Sequence, residues 1–252
     1  MGKLSPTLAR TLLVVALLAL WEVFTRLSSV SAILIAPPSA IIMQMVQILV
    51  RTSNVPDFYA NARLTIAEIL VAYGLAAVAG VLTGIAVASS KVIGDAFEPI
   101  LLVLYAVPKI ILYPVIVLMI GTGPATKILF GIFVGIFVII FNTAAGLRQV
   151  EPNYLRLAHS LGYGSAKIFF KVELPAAAQT ILAGLRLGFG YTIIGVLTGE
   201  LLLVNAGLGY LIDWASVNYY TAQLYALIII TLAIGVVANY IVGHIERRWV
   251  RG

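Results

Sequence analysis

The stretch "ILFGIFVGIFVIIF" at residues 128–141 decides the class of fold. It contains no charged residue and no side-chain amide. A strand of a transmembrane barrel alternates apolar and polar residues, whereas this run is apolar on every face. A helix satisfies its own backbone hydrogen bonds in lipid, so a continuous apolar helix is the form in which such a run crosses a bilayer. The stretch therefore predicts a transmembrane helix.

The composition of the whole chain leads to the same class. The 252 residues are 62% hydrophobic and 10% charged, whereas a soluble domain has about 25% charged residues. A soluble globule of this size cannot hide so much apolar surface. The chain has no cysteine and only two histidines, His159 and His244, so disulfides and thiolate metal sites are excluded. We expect no metal and no cofactor in this chain.

Six segments are long and apolar enough to cross a membrane, at about 20 residues per crossing. The third contains Pro108 and Pro114, which predicts a kinked or broken helix. The fold is therefore predicted to be an all-α integral membrane protein with about six transmembrane helices. The six segments are 9–28, 62–89, 97–120, 126–147, 177–204 and 223–245.

The basic residues predict the orientation of these spans. With the N-terminus inside, ten basic residues lie in inside segments and four lie outside or at a membrane edge. Both termini are therefore predicted to be cytoplasmic, which also explains the net charge of +6 without nucleic acid. The inside group is Lys3, Arg10, Lys91, Arg148, Arg156, Lys167, Lys171, Arg247, Arg248 and Arg251, and the other is Arg26, Arg51, Arg63 and Lys127.

The pattern divides the chain into three parts. Residues 1–61 hold the first span, an external connection and the apolar helix "IIMQMVQILV" (41–50), which lies on the outer membrane surface or packs on the bundle. Residues 62–245 form the transmembrane core, and 246–252 a cytoplasmic tail. Small residues at four-residue spacing predict close helix packing; the pairs are Gly80/Gly84, Gly131/Gly135, Gly184/Gly188 and Gly195/Gly199.

The sequence lacks the common catalytic motifs. It contains no G-x-x-x-x-G-K-[ST] phosphate loop, no H-E-x-x-H zinc motif and no G-x-S-x-G nucleophile elbow. A membrane-embedded enzyme is therefore disfavoured. We interpret the chain as a transport protein with no catalytic residues of its own.

A polar stretch, "LAHSLGYGSAKIFFKVELPAAAQ" (157–179), interrupts the apolar pattern between the fourth and fifth spans. Residues 153–161 are helical in pattern, and Gly162 and Gly164 break the helix. Ser165 is predicted to cap a second helix, 166–174, which Pro175 ends. Taken alone, the pattern also fits an amphipathic loop on the lipid headgroups.

This stretch resembles the coupling motif of ABC importer permeases, E-A-A, three residues, G, and then I-x-L-P. In that family the glycine lies thirteen positions before the proline, and Gly162 and Pro175 keep the spacing. Ala158 stands at the second alanine of the motif. Arg156 and Leu157 replace the glutamate and the first alanine.

The resemblance extends from about residue 35 to the end of the chain. The stretches "LIAPPSAI" (34–41), "AVPKIILYPVIVLMIGTGPATKILF" (106–130) and "ILAGLRLGFGYTIIGVLTGELL" (181–202) are similar to the nitrate/sulfonate/taurine-type branch. The resemblance implies a type I ABC importer permease fold with a cytoplasmic coupling helix pair. It also implies two permease copies in a homodimer, two ATP-binding subunits that hold ATP and Mg²⁺, and an external solute-binding protein.

The resemblance assigns residues 157–175, the coupling segment, to contact with the ATPase. It implies that the segment acts as a lever between the ATPase and the spans. The candidate coupling residues are Ala158, Leu161, Gly162, Ile168, Phe169, Val172 and Pro175.

Candidate residues of the solute pathway are Tyr105, Lys109, Asn142 and Glu200. Lys109 follows Pro108 in the broken span, where it attracts an anionic solute, extends to the membrane interface or pairs with a helix carbonyl. Glu200 pairs with Lys109, caps a gate or is solvated near the outer end of its span, and Glu68 is expected to be solvated or ion-paired.

The expected solute is a small anion, because the resembling branch handles sulfonates, taurine, nitrate, bicarbonate, aromatic carboxylates and some vitamin precursors. The alternatives are a permease for a neutral or cationic vitamin precursor and a secondary transporter driven by an ion gradient.

Overall fold

The structure, a computed structural model, describes residues 5–27, 34–203 and 205–251, with no side-chain detail for 245–251. Within these ranges the chain forms helices and turns and no strand. The all-α prediction is confirmed. The helices are α1 (Pro6–Leu27), α2 (Pro38–Leu49), α3 (Phe58–Ser89), α4 (Lys91–Ala106), α5 (Tyr113–Ile120), α6 (Pro124–Arg148), α7 (Pro152–Ser160), α8 (Ser165–Ile168), α9 (Leu174–Leu202), α10 (Leu208–Val217) and α11 (Thr221–Arg251).

The apolar helices correspond to the six predicted spans. Among the described residues, five helices are long and apolar enough to cross a membrane: α1, α3, α6, the continuous stretch Ser165–Leu202 and most of α11. A sixth crossing is the bent pair Lys91–Ala106 and Lys109–Ile120, whose two parts meet at 88°. The predicted break in the third span is therefore confirmed.

Pro108 determines where the third span breaks. It has no N–H to donate and it disfavours helical backbone at the residue before it. Val107 accordingly is extended, with φ −62° and ψ 130°. Pro114 has a different effect, because it lies in the first turn of α5, where its missing N–H removes no helical hydrogen bond.

The centre of the bundle is built from α3, α6 and α9, which pack closely through glycines. A Cβ atom added at Gly84 of α3 would lie 2.7 Å from the carbonyl oxygen of Ile140. A Cβ atom at Gly195 of α9 would lie 2.8 Å from the Cα atom of Gly131 in α6. At these positions the predicted close packing is confirmed, because any larger side chain would push the helices apart.

The N-terminal helices pack on the outside of this centre. In α2, Ile41 and Ile48 are buried in a cluster with Leu208, Leu211 and Leu227 of α10 and α11. Of the two placements predicted for this helix, packing on the bundle is the one observed. The first helix joins α2 through Glu22, which accepts hydrogen bonds from the N–H and hydroxyl of Ser39.

The two ends of the bundle differ in charge. The basic side carries Lys91, Arg148, Arg156 and Lys167. There Arg148 joins three helices, since it pairs with Glu98 of α4 at 2.7 Å and donates to the carbonyl oxygen of Val87 in α3. The opposite side carries the connections from α2 to α3 and from α9 to α10.

The two glycines Gly84 and Gly74 of α3 provide a test of the packing. We expect Gly84→Ala to lower the free energy of unfolding by about 1–3 kcal/mol, because the new Cβ atom meets the backbone of α6. Gly74→Ala should leave stability unchanged or raise it slightly, because Gly74 has open space around it and alanine favours helix. Thermal unfolding in detergent would measure both, and equal effects of the two substitutions would contradict the packing.

Candidate functional sites: a helix pair at the basic side and a buried polar cluster

The coupling segment begins with a well-formed turn at Gly162. Gly162 has φ +75°, a left-handed conformation that favours glycine. The N–H of Tyr163 donates to the carbonyl oxygen of Ala158, and the N–H of Gly162 donates to that of His159. These two bonds form a Schellman motif, which ends α7 and satisfies its last carbonyl groups. The predicted helix and its break at Gly162 are confirmed.

The second half of the segment differs from the prediction. Gly164, not Ser165, is the N-cap of α8, and no side chain caps it. Pro175 does not end the helix either: the chain is helical from Ser165 to Leu202, with a π turn at Phe169–Glu173 just before the proline. The wider π turn accommodates a residue that lacks an N–H and would otherwise clash with the preceding turn. The second half of the segment therefore joins α9 as one continuous helix.

The candidate coupling residues differ in how far their side chains are buried. Ala158 is buried and Ile168 is 3% exposed, so both pack within the chain and hold the segment in place. Phe169 and Val172 are half-buried, and Pro175 is exposed.

The exposed apolar side chains are Leu161 at 63%, Phe170 at 66% and Leu157. Phe170 also lines a cavity of about 570 Å³ with Ser89, His159 and Glu173. Ile168 is therefore buried and has no exposed surface for a partner, whereas Phe170, which the sequence analysis did not name, is exposed.

The break in the third span brings Lys109 against aromatic rings. Its Nζ donates to the carbonyl oxygen of Tyr105 at 2.7 Å and lies 4.5 Å from the centre of the Tyr105 ring. Phe137 of α6 is the second ring, at 5.6 Å. The pairing of Lys109 with a helix carbonyl is therefore observed, and its ammonium group also rests on two ring faces, an arrangement that favours a cation.

The other two pathway candidates lie elsewhere. Asn142 donates through Nδ2 to Val138 in its own helix and packs against Gly184 of α9. Glu200 is 0% exposed: its Oε1 accepts from the Thr65 hydroxyl at 2.6 Å and its Oε2 from the N–H of Gly209 at 2.8 Å. Two of the alternatives for Glu200 are wrong, since it is neither paired with Lys109 nor solvated.

A buried lysine, Lys127, lies beside Glu200. The sequence analysis had counted this lysine with the outer basic residues. Lys127 is 1% exposed because α6 begins at Pro124, so Lys127 falls in the first turn and points into the bundle. Its Nζ donates to the carbonyl oxygen of Ala206 at 2.7 Å and lies 3.8 Å from Oε1 of Glu68. The solvated alternative for Glu68 is therefore wrong, because the side chain is 2% exposed, and the charged group nearest to it in the ion-paired alternative is Lys127. No local pattern could reveal this cluster, because its members are far apart in the sequence.

An apolar helical bundle with one broken span is an architecture that occurs among membrane transport proteins. The sequence profile described as "Binding-protein-dependent transport system inner membrane component" matches residues 76–251. The chain belongs to this family, whose members are inner-membrane transport proteins and not enzymes.

Relatives and a solved structure agree with this assignment. The chain is 28% identical to the putative aliphatic sulfonates transport permease SsuC of Bacillus subtilis, over 94% of this chain and 84% of SsuC. It is 29% identical to the nitrate import permease NrtB of Synechocystis, over 69% of this chain and 62% of NrtB. The resemblance to the nitrate/sulfonate/taurine-type branch is confirmed.

The fold is similar to that of a chain of the MetNI methionine ABC transporter in an inward-facing conformation. The TM-score is 0.64 at 18% identity, over 82% of this chain and 96% of that chain. This similarity confirms the predicted permease fold.

The turn of the coupling segment can be tested with two neighbouring glycines. We expect Gly162→Ala to cost about 1–2 kcal/mol locally, because alanine is disfavoured at φ +75°. The amide of Tyr163 should then exchange with solvent about 5- to 30-fold faster, as hydrogen exchange would measure. Gly164→Ala is the control, since Gly164 has φ −73° and open space around it. Equal exchange in both variants would contradict the Schellman turn.

Proposed function

We propose that this protein is the transmembrane permease subunit of an ATP-driven ABC importer that moves a small anionic solute. The coupling segment would receive the movement of a separate ATPase subunit. The observation that carries this proposal is the pair of exposed apolar side chains, Leu161 and Phe170, on an ordered segment at the basic side. Exposed apolar groups held by a rigid turn are suited to a protein partner.

The proposed assembly has four further chains. Two ATP-binding subunits hold ATP and Mg²⁺ and sit at the basic side, which we place in the cytoplasm together with both termini. A second copy of this chain completes the solute pathway, and an external solute-binding protein delivers the solute to the opposite side. A binding-protein-dependent family supports this assembly, and the absence of a phosphate loop in this sequence is consistent with ATP binding on another chain.

Transport follows from the connection between the coupling segment and α9. The helix is continuous from Ser165 to Leu202, so a displacement at the basic side is carried directly into a central helix of the bundle. Closure of the ATPase pair would change the relative stability of two packings of the spans, one open to each side. Because the Gly162 turn is well formed, a force applied to the coupling segment would move α9 instead of deforming a flexible loop.

Two observations support an anionic solute. Lys109 lies at the break of the third span, where a cation among aromatic rings provides positive charge beside an apolar surface. The names of the relatives SsuC and NrtB refer to aliphatic sulfonates and nitrate, both of which are anionic. We therefore assign Lys109 and Tyr105 to the solute pathway, and we leave Glu200 out of it because it is fully buried.

Removal of an exposed apolar contact tests the coupling. We expect Phe170→Ser to weaken binding of the partner ATPase by about 2 kcal/mol, or roughly 30-fold, with no change in thermal unfolding of the permease alone. Val92→Ser is the matched control, because Val92 is as exposed on the basic side but lies outside the coupling segment. Affinity of the detergent-solubilised permease for the ATPase would measure both, and unchanged affinity in Phe170→Ser and Leu161→Ser would reject the proposed contact.

Replacement of Lys109 tests the nature of the solute. We expect Lys109→Ala to raise the KM for uptake of an anionic solute at least tenfold, because a close charge interaction worth about 1.4 kcal/mol or more is lost, whereas Lys109→Arg should keep most of the uptake. Uptake into proteoliposomes with the binding protein and ATPase present would measure this. Uptake that is the same in all three proteins would remove Lys109 from the pathway, and transport of a neutral vitamin precursor instead would favour that alternative.

A further inference from the structure

Three ionisable side chains from three different helices meet inside the bundle. Glu68 of α3, Lys127 of α6 and Glu200 of α9 are 2%, 1% and 0% exposed. We call these three residues the carboxyl cluster. The cluster lies toward the opposite side, away from the coupling segment, because Lys127 and Glu200 sit at the ends of their helices that adjoin the connection to α10.

The two carboxyl groups have different surroundings. Each oxygen of Glu200 accepts a hydrogen bond, one from Thr65 and one from the N–H of Gly209. Among the residues that the structure describes, no N–H or O–H group donates a hydrogen bond to either oxygen of Glu68, and the carboxyl group of Glu200 lies next to it. A carboxylate that accepts two hydrogen bonds is stabilised in its charged form, whereas one that accepts none is not.

The charges of the cluster do not balance if both carboxyl groups are ionised. Two carboxylates and one ammonium group would leave one buried negative charge. An uncompensated charge in the interior is strongly unfavourable, and two carboxyl groups that share a site cannot both ionise cheaply. Tyr113 of α5 is a further titratable group close to the cluster, and its hydroxyl already donates to the carbonyl oxygen of Gly199. One proton bound within the cluster removes the excess charge.

We propose that the carboxyl cluster holds one proton at neutral pH, carried by Glu68 and donated toward Glu200. Glu68 is then a neutral acid, Glu200 is the carboxylate and Lys127 balances its charge. This assignment satisfies both observations: the carboxyl group without donors is the neutral one, and the carboxyl group with two donors is the charged one. The proposal goes beyond the transport function and does not depend on the identity of the solute.

The protonated cluster has a structural purpose, because it holds the start of α10 against three other helices. Lys127 binds the carbonyl oxygen of Ala206, and Glu200 binds the N–H of Gly209. Between them, the N–H of Gly207 donates to Asn61 and the N–H of Leu208 donates to Thr65. Four consecutive residues, 206–209, are therefore fixed by side chains of α3, α6 and α9.

Two glycines let the chain close over the carboxyl group of Glu200. Gly207 has φ +105°, and a Cβ atom at this position would overlap the carboxyl group. A Cβ atom at Gly209 would lie 2.6 Å from the Cβ atom of Glu200. The N–H of Gly209, in the first turn of α10, thus donates to a negative charge, which is the favourable arrangement for a helix N-terminus. Glu200 and Lys127 are accordingly positioning residues for this end of the bundle.

Infrared spectroscopy of the full chain in detergent tests the proton directly. We expect the wild-type protein at neutral pH to show the C=O band of a protonated carboxyl group, and Glu68→Gln to lose this band. Glu98→Gln is the control and should keep it, because Glu98 is a partly exposed carboxylate paired with Arg148. A wild-type spectrum without the band, or a band that persists in Glu68→Gln, would overturn the assignment.

Thermal unfolding of the same variants adds an independent test of which carboxyl group is neutral. Glu68→Gln should stay within about 3 °C of the wild type, because glutamine replaces a neutral acid of the same shape. Glu200→Gln should fall by more than about 5 °C, because the amide has one acceptor oxygen for two donors. Lys127→Met should also be destabilising, and adding Glu200→Gln to it should restore part of the loss by removing the unpaired charge. Equal losses for Glu68→Gln and Glu200→Gln would contradict the proposed position of the proton.

Discussion

Close contact between the backbones of α3, α6 and α9 is the constraint on which the rest of the structure depends. Apolar side chains gain little from leaving lipid for one another, so helices in a membrane are held by packing and by polar contacts. The glycines at 84, 131 and 195 make that packing possible, because they let one helix lie directly against the backbone of the next. The same closeness brings Glu68, Lys127 and Glu200 within reach of one another, and it excludes the water that would otherwise solvate them.

The sequence predicted those features that depend on local physical signals. Long apolar runs located the spans, and Pro108 located the break in the third, because a missing N–H acts on the residues next to it. Gly162 located the end of α7 for a similar reason, since the left-handed turn is a property of one residue. The glycine spacing predicted tight packing without naming the partner helices. The resemblance to the permease family rests on ordered motifs along the chain, and the family assignment confirms it.

The features that sequence reasoning missed all depend on contacts between residues far apart in the sequence or on a balance of several energetic contributions. Pro175 was expected to end a helix, but a π turn lets the helix continue through it. Ile168 was expected to face a partner, but it is buried, and Phe170 two residues on is exposed. Lys127 was counted with the outer basic residues because it stands at the start of the predicted span 126–147, but in the first turn of α6 its side chain points into the bundle and is buried. The tertiary fold alone determines which face of a short helix is covered. It also determines how deeply a charged side chain lies in the bundle.

The correction at Pro175 changes how the two candidate sites relate to each other. A helix that ended there would leave the coupling segment joined to the bundle through a flexible bend. A helix that continues from Ser165 to Leu202 joins the coupling segment, at one end, to Glu200 of the carboxyl cluster, near the other. Under the proposed function, a displacement received at the basic side therefore acts on a rod whose far end is held to α3, α6 and α10. Such a rod pivots about its fixed end instead of sliding, so the largest movement falls at the basic side and the smallest at the carboxyl cluster. The π turn is the least regular part of the rod, and its position next to the coupling segment keeps any bending away from the closely packed centre.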